Sequence, residues 1–138
     1  MSTTTADLGA FVLRVTLGVL AFSHGFILKV LTFTPAGTAG YFESIGYPAA
    51  FAYLVIFAEV AGGLALITGI LPRLAAIGLI PVLIGATLQH AGNGWSFSST
   101  GGGWEFPAAW TVLLLASALI GPGAFALGRN LPGKLASL

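Results

Sequence analysis

The sequence contains no cysteine and very little charge. Without cysteine, the chain itself can form no disulfide, thiolate metal site, iron–sulfur cluster or thiol relay. Only 7% of its 138 residues are charged and 57% are hydrophobic, whereas a soluble domain usually has about 25% charged residues. This composition nearly excludes a soluble fold and indicates a protein that lives in the lipid bilayer.

The few charges that are present are nearly balanced, with a formal net charge of +1 at pH 7. No basic patch is available to neutralise phosphates, so we expect no nucleic-acid partner. The residues before Leu8 lack the Lys and Arg of a secretory leader, and the apolar stretch that follows is too long for a leader's core. We therefore expect this stretch to be retained as a membrane helix.

Four apolar segments approach the roughly 20 residues that cross a bilayer. They run from about 8 to 31, 49 to 69, 73 to 91 and 105 to 120. The predicted fold is an all-α integral membrane four-helix bundle that forms one domain over residues 1–138. Residues 38–45, between the first two segments, could add a short helix at the membrane surface.

The positions of Lys and Arg predict the orientation of this bundle. With four spans, both termini and the short turn between the second and third segments share one side, which carries Arg73, Arg129 and Lys134. The other side has only Lys29. Because Lys and Arg are enriched in cytoplasmic loops, we predict a multi-pass protein of the plasma (inner) membrane with both termini in the cytoplasm.

Small residues spaced four apart predict where the helices pack closely. Examples are Ala21 with Gly25 in the first segment and Ala58 with Gly62 in the second. Small residues let helix backbones approach each other in lipid, and packing alone would account for most of the glycines.

Two ionisable residues lie deep in the first two segments. Arg14 is about 9 Å from the predicted cytoplasmic edge and Glu59 falls near the midplane, at 1.5 Å per residue. A charge inside a membrane costs about 2.5–3.5 kcal/mol on insertion scales. We therefore predict a buried ion pair between Arg14 and Glu59, which either locks the helices together or serves as a proton or substrate site.

A second polar group is predicted near the outer face. His24 and His90 fall at the same depth, about 25 Å above the cytoplasmic edge, and further polar residues lie near them in sequence. We predict that they converge on a ligand-binding pocket, since apolar walls with a few convergent polar groups are typical of ligand sites. The predicted members are His24, Lys29, Gln89, His90 and Glu105. In the alternative interpretation, the histidines form hydrogen bonds with the loop backbone. Glu105 then only stabilises the N-terminus of its own helix, where the helix dipole favours a carboxylate.

The pattern leaves the cofactor open. Two histidines at one depth could in principle ligate haem b, and His24, His90 and Glu105 are ligand types that a divalent metal accepts. Both are disfavoured, because nothing around the histidines is specific for haem and no paired-histidine motif of fixed spacing occurs. The predicted metal set is therefore none.

Several short motifs in fixed order resemble the DoxX family of small bacterial and archaeal membrane proteins over nearly the whole chain. The matching stretches are Arg14-Val-Thr-Leu-Gly18 with His24-Gly25 and Lys29, Phe42-Glu43-Ser-Ile-Gly46-Tyr-Pro48, Glu59-Val-Ala-Gly62-Gly63, Gly69, Arg73-Leu-Ala-Ala, His90 and Gly102-Gly103-Trp-Glu105-Phe-Pro107. The resemblance implies that the family's recurrent positions fall on Arg14, His24, Glu59, His90 and Glu105.

This resemblance implies a redox setting. The family takes its name from a subunit of an archaeal thiosulfate:quinone oxidoreductase, and other members resemble membrane partners in redox-stress and metal-handling operons. The leading hypothesis is a redox-associated membrane subunit that binds a quinone or similar small apolar ligand. A small-solute or proton-coupled transporter and a non-catalytic scaffold for a partner protein are the alternatives. Besides the lipid bilayer, a redox partner protein and self-association stay open.

Overall fold

The computed structural model describes residues 3–138, and the regular structure in that part of the chain is entirely helical. Helix α1 continues without a break into a π-helix, and four further α-helices follow. Their bounds are α1 Thr5–Phe22, the π-helix Ser23–Thr32, α2 Pro35–Ser44, α3 Ala49–Thr68, α4 Pro72–His90 and α5 Glu105–Ile120. Short 3₁₀ turns occupy Ala91–Asn93, Leu127–Asn130 and Gly133–Ser137.

Three of these helical stretches are long and apolar enough to cross a bilayer. They are Thr5–Thr32, Ala49–Thr68 and Pro72–Asn93, with 28, 20 and 22 residues. Helix α5 is apolar but has 16 residues, about 24 Å at 1.5 Å per residue. The predicted all-helical membrane fold is confirmed in this form, with three helices of spanning length and one shorter helix.

The helix ends follow from local sequence. Thr4 caps α1 through a reciprocal pair, because its hydroxyl accepts from the Asp7 amide at 3.2 Å and its own amide donates to the Asp7 carboxylate at 3.0 Å. Helix α3 ends at Gly69, whose φ of 71° is the left-handed conformation usual after a helix. Pro72 then opens α4, at a position where its missing amide costs nothing.

Leucines, alanines and one tryptophan fill the interior between the helices. Leu17, Leu66, Leu79, Leu114 and Trp110 are at least 97% buried and belong to one continuous cluster. Large apolar side chains also cover the outside of the helices. Phe57, Leu88 and Leu119 are 69%, 70% and 71% exposed, which fits a surface that contacts lipid tails instead of water.

Helices α1 and α3 pack with their backbones in direct contact. A Cβ atom on Gly63 would lie 2.6 Å from the Phe22 amide nitrogen, and one on Gly18 would lie 2.8 Å from the Gly63 carbonyl oxygen. Further along, a Cβ on Gly25 would lie 2.7 Å from the Glu59 Cβ. Gly25 was among the predicted packing residues, whereas Gly18 and Gly63 were not.

The segment after α5 returns to the end of the bundle that holds the start of α1 and the α3–α4 turn. The Ala124 amide donates to the Asp7 carbonyl at 2.9 Å, and the Gly128 amide donates to the Gly69 carbonyl at 2.9 Å. Arg129 lies 3.6 Å from the Asp7 carboxylate. We call this the closed end of the bundle.

The α1–α3 contact yields a first prediction. Gly63→Ala should lower the free energy of unfolding by roughly 1–3 kcal/mol, the usual range for overpacking, because the new methyl meets Phe22 backbone. Thermal unfolding in detergent measures this. Gly78→Ala in α4 is the matched control, since its Cβ meets nothing within 4 Å. Equal unfolding temperatures for the two variants would contradict the prediction.

Candidate functional site

A cavity of about 520 Å³ lies at the end of the bundle opposite the closed end. The π-helix, α2, α3, α4, α5 and the loop of residues 94–104 all contribute to its wall. Its volume is within the roughly 300–1,000 Å³ of small-molecule sites. Aromatic and aliphatic side chains form most of the wall, and its longer polar side chains are His24, Lys29, Glu59, Gln89 and His90.

The π-helix explains how His24 and Lys29 reach the same cavity. In an α-helix, residues five apart are about 140° apart around the axis and would face different neighbours. In a π-helix the hydrogen bonds join residues five apart, so His24 and Lys29 lie on successive turns of one side. Thr38 of α2 contacts this segment, because its hydroxyl lies between two carbonyl oxygens, 3.2 Å from that of Lys29 and 2.9 Å from that of Thr34, and its one proton is shared between them.

Lys29, not Arg14, is the partner of Glu59. Its Nζ donates to Glu59 Oε1 at 3.0 Å and lies 2.8 Å from Oε2. The Glu59 side chain is 6% exposed and that of Lys29 19%, so the pair sits in the wall of the cavity. The predicted pairing of Arg14 with Glu59 is wrong. Gly25 packs on Glu59, and Gly25 is eleven residues, about 16 Å, along the helix from Arg14.

Arg14 instead bonds backbone carbonyls at the closed end. Its guanidinium is fully buried and donates to Leu66 O at 2.5 Å, Ile67 O at 2.9 Å, Pro122 O at 2.9 Å and Ala124 O at 3.2 Å. Two of these carbonyls belong to the last turn of α3, where the helix dipole favours a positive charge. Arg14 thus joins α1, α3 and the segment after α5.

Arg73 makes a similar contact with α5. Its Nη1 donates to Ala118 O at 2.6 Å and Leu119 O at 3.3 Å, in the last turn of that helix. Two arginines therefore satisfy carbonyls that their helices cannot satisfy internally. Both lie away from the cavity, which separates the stabilising charges from the candidate site.

Replacement of Arg14 provides a second prediction. Arg14→Leu should lower the free energy of unfolding by about 3 kcal/mol or more, because several buried carbonyls lose a charged donor worth roughly 1.5–3 kcal/mol each. Arg14→Lys should recover part of the loss, since it keeps the charge but not the four contacts. Arg129→Ala is the control, because its side chain is 53% exposed. Thermal unfolding of the purified protein reports all three, and a neutral Arg14→Leu would refute the role.

His24 stands beside a buried tryptophan. Its Nδ1 lies 2.9 Å from the Leu20 carbonyl oxygen, and its ring centre is 5.1 Å from that of Trp110 at an angle of 62°. Trp110 is 3% exposed, lines the cavity, and its Nε1 has no hydrogen-bond partner within residues 3–138. Sequence reasoning missed Trp110, because it lies in an apolar run where a tryptophan is indistinguishable from ordinary core.

His90 is tied to the glycine-rich loop. Its Nδ1 is 3.1 Å from both the Gly101 and the Gly102 carbonyl oxygens, which is the loop contact that the alternative interpretation expected. The loop passes close to itself, since a Cβ on Gly103 would lie 2.1 Å from the Ser96 carbonyl oxygen. Only glycine fits at position 103. The tight turn that it allows places Gly102 and Gly103 in the wall of the cavity.

Glu105 does not join the cavity wall, contrary to the prediction. Its Oε1 accepts from the Phe97 amide at 2.7 Å, and its own amide donates to the Trp95 carbonyl at 3.1 Å. Because these bonds hold the carboxylate in the loop, Glu105 is separate from His24 and His90. Within residues 3–138, no group of three or more His, Asp and Glu side chains gathers closely enough to hold a metal ion.

Comparison with known proteins identifies the family. The DoxX family model matches residues 9–92, which include Arg14, His24, Lys29, Glu59 and His90. The chain belongs to the DoxX family. The resemblance inferred from its motifs is therefore confirmed.

Two relatives extend this assignment. The Escherichia coli protein named "Inner membrane protein YqjF" is 33% identical over 129 residues, which cover 93% of this chain and 95% of that protein. The Bacillus subtilis protein named "Putative oxidoreductase CatD" is 33% identical over 82 residues, 59% of each chain. No solved structure gives a significant match. With the three spanning helices, the first relative confirms the predicted multi-pass location in the plasma (inner) membrane.

Proposed function

We propose that this DoxX protein is a redox-associated membrane subunit that binds a quinone or a similarly small apolar molecule in the cavity. The observation that carries the proposal is the Trp110 Nε1 donor, which is buried in an apolar wall without a partner within residues 3–138. An unsatisfied buried donor costs about 1–3 kcal/mol. A ligand oxygen that accepts from it would remove this cost.

The remaining wall suits a ring with oxygen substituents. Phe42, Phe51, Phe97 and Phe106 provide aromatic surface, which stacks well against a flat ring. His24 and the Lys29–Glu59 pair are groups that can take up or release protons in the same wall. The name of the second relative supports a redox role.

Electron transfer in this proposal requires a partner protein. The chain has no cysteine, so it cannot itself hold an iron–sulfur cluster or a redox-active thiol. Its own contribution would be to bind the ligand within the membrane, orient it and exchange its protons. The partner would receive or supply the electrons.

Ligand binding can be tested with two glycines of α4 that both have open space at the Cβ position. Gly85 lines the cavity and Gly78 does not. We expect purified wild-type protein to bind decylubiquinone, and Gly85→Leu to weaken binding at least about tenfold, because the leucine occupies ligand space. Gly78→Leu should bind as the wild type does. Calorimetric titration in detergent measures all three affinities.

A lack of quinone binding by folded wild-type protein would overturn the proposed function. Equal affinities of the wild type and Gly85→Leu would mean that the quinone binds elsewhere, for example on the lipid-facing surface. The unfolding temperature of each variant shows whether a loss of binding reflects a loss of fold.

We also propose that α5 completes a fourth crossing and that both termini face the cytoplasm. The support is the excess of Arg and Lys at the closed end, where Arg73, Arg129 and Lys134 lie. Local thinning of the bilayer would accommodate the roughly 24 Å of α5.

Because the chain has no cysteine, single cysteines can report this topology directly. Thr100→Cys in the exposed loop before α5 should react with a membrane-impermeant maleimide added outside intact cells. Ser137→Cys, after α5, should react only once the membrane is opened. Labelling of both sites from one side would contradict a fourth crossing, and the reverse pattern would contradict the orientation.

A further inference from the structure

The polar part of the cavity beside α5 holds two unused groups of opposite hydrogen-bonding character. Trp110 Nε1 is a donor with no partner within residues 3–138, and an indole nitrogen can only donate. The His24 ring is in edge contact with the indole, with 5.1 Å between ring centres. Both residues line the cavity, so one occupant of this part can contact both rings.

The bond to Leu20 fixes the role of the other His24 nitrogen. A backbone carbonyl can only accept, so the Nδ1 that lies 2.9 Å from Leu20 O carries the proton. In the neutral ring, Nε2 is then an acceptor. Nε2 makes no hydrogen bond within the described part of the chain, whereas Lys29 is engaged by Glu59.

We infer that the cavity recognises an aromatic hydroxyl, so that it binds the quinol form of its ligand more tightly than the quinone form. The hydroxyl oxygen accepts from Trp110 Nε1, and the hydroxyl proton is donated to His24 Nε2. One hydroxyl thus satisfies both rings. This inference rests on the proposed function and specifies which form of the ligand the site selects.

A quinone oxygen or an ether oxygen would leave this arrangement incomplete. Either oxygen can accept from Trp110, but neither has a proton to offer to His24. A site built around a hydroxyl rejects an analogue that lacks one, because the buried partner is left unpaired. Trp110 therefore sets where the oxygen sits, and His24 sets which oxidation state is preferred.

The test compares ligands that differ only at the oxygen, on the purified protein at pH 8. The first pair is decylubiquinol, kept anaerobic, against decylubiquinone. The second is 4-butylphenol against its methyl ether, which removes the hydroxyl without redox chemistry. We expect the hydroxyl member of each pair to bind roughly tenfold more tightly, about the effect of one satisfied buried acceptor.

Two variants measure the contributions of the Trp110 and His24 rings separately. Trp110→Phe should weaken both members of each pair about three- to tenfold, since both lose the same donor. His24→Phe should abolish the preference for the hydroxyl and leave the methyl ether affinity unchanged. Trp95→Phe, in the loop and outside the cavity wall, is the matched control and should change neither. The ratio of the two affinities within each variant is independent of any general loss of stability, because such a loss affects both ligands equally.

Each outcome is decisive. Equal binding of quinol and quinone, or a phenol that binds no more tightly than its ether, would overturn hydroxyl recognition and leave quinone binding intact. A preference that survives His24→Phe would also overturn it. If no member of either pair binds to the folded wild-type protein, both this inference and the proposed function fail.

Discussion

The direct backbone contact between α1 with its π-helical extension and α3 positions the other features of the molecule. Gly18 and Gly63 allow the two helices to touch without side chains between them, and Gly25 continues the contact up to Glu59. This register fixes which residues face one another across the pair. It brings Arg14 to the carbonyls of Leu66 and Ile67 at one end and Lys29 to Glu59 at the other.

The polar groups at the two ends of this contact differ. At the closed end, guanidinium groups of Arg14 and Arg73 satisfy carbonyls in the last turns of α3 and α5. At the other end, space is left between five helical elements and a loop, and the polar groups there are only partly satisfied. Stability is thus concentrated away from the region that we propose to bind a ligand.

Much of this arrangement was predictable from sequence. Apolar length and turn residues located the helices, and four of the five residues predicted for the ligand site line the cavity: His24, Lys29, Gln89 and His90. The prediction for Arg14 failed because a depth along the membrane normal is a single coordinate. It contains neither the rotation of a helix nor the offset between antiparallel helices, which the glycine contacts set here.

Other errors have equally local causes. Glu105 begins α5 as expected, but its carboxylate accepts from the Phe97 amide in the tight loop and does not line the cavity. Trp110 carries no charge and lies within an apolar helix, so nothing in the sequence marks its nitrogen as unpaired. The π-helix could not be predicted from the sequence either, since its residues would be equally acceptable in an α-helix.

Because of the π-helix, His24 and Lys29 share one face of the helix although they are five residues apart. Whether the two side chains meet therefore depends on the number of residues between them as well as on their identity. If a family member lacked one residue between them, an ordinary α-helical turn would bring the two side chains to the same face, because residues four apart are neighbours there. Loss of a residue between Lys29 and α2 would have no such effect. When DoxX sequences are aligned, a gap of one residue between His24 and Lys29 is therefore compatible with a change of helix type, and a histidine and lysine spaced by four or by five can be structural equivalents.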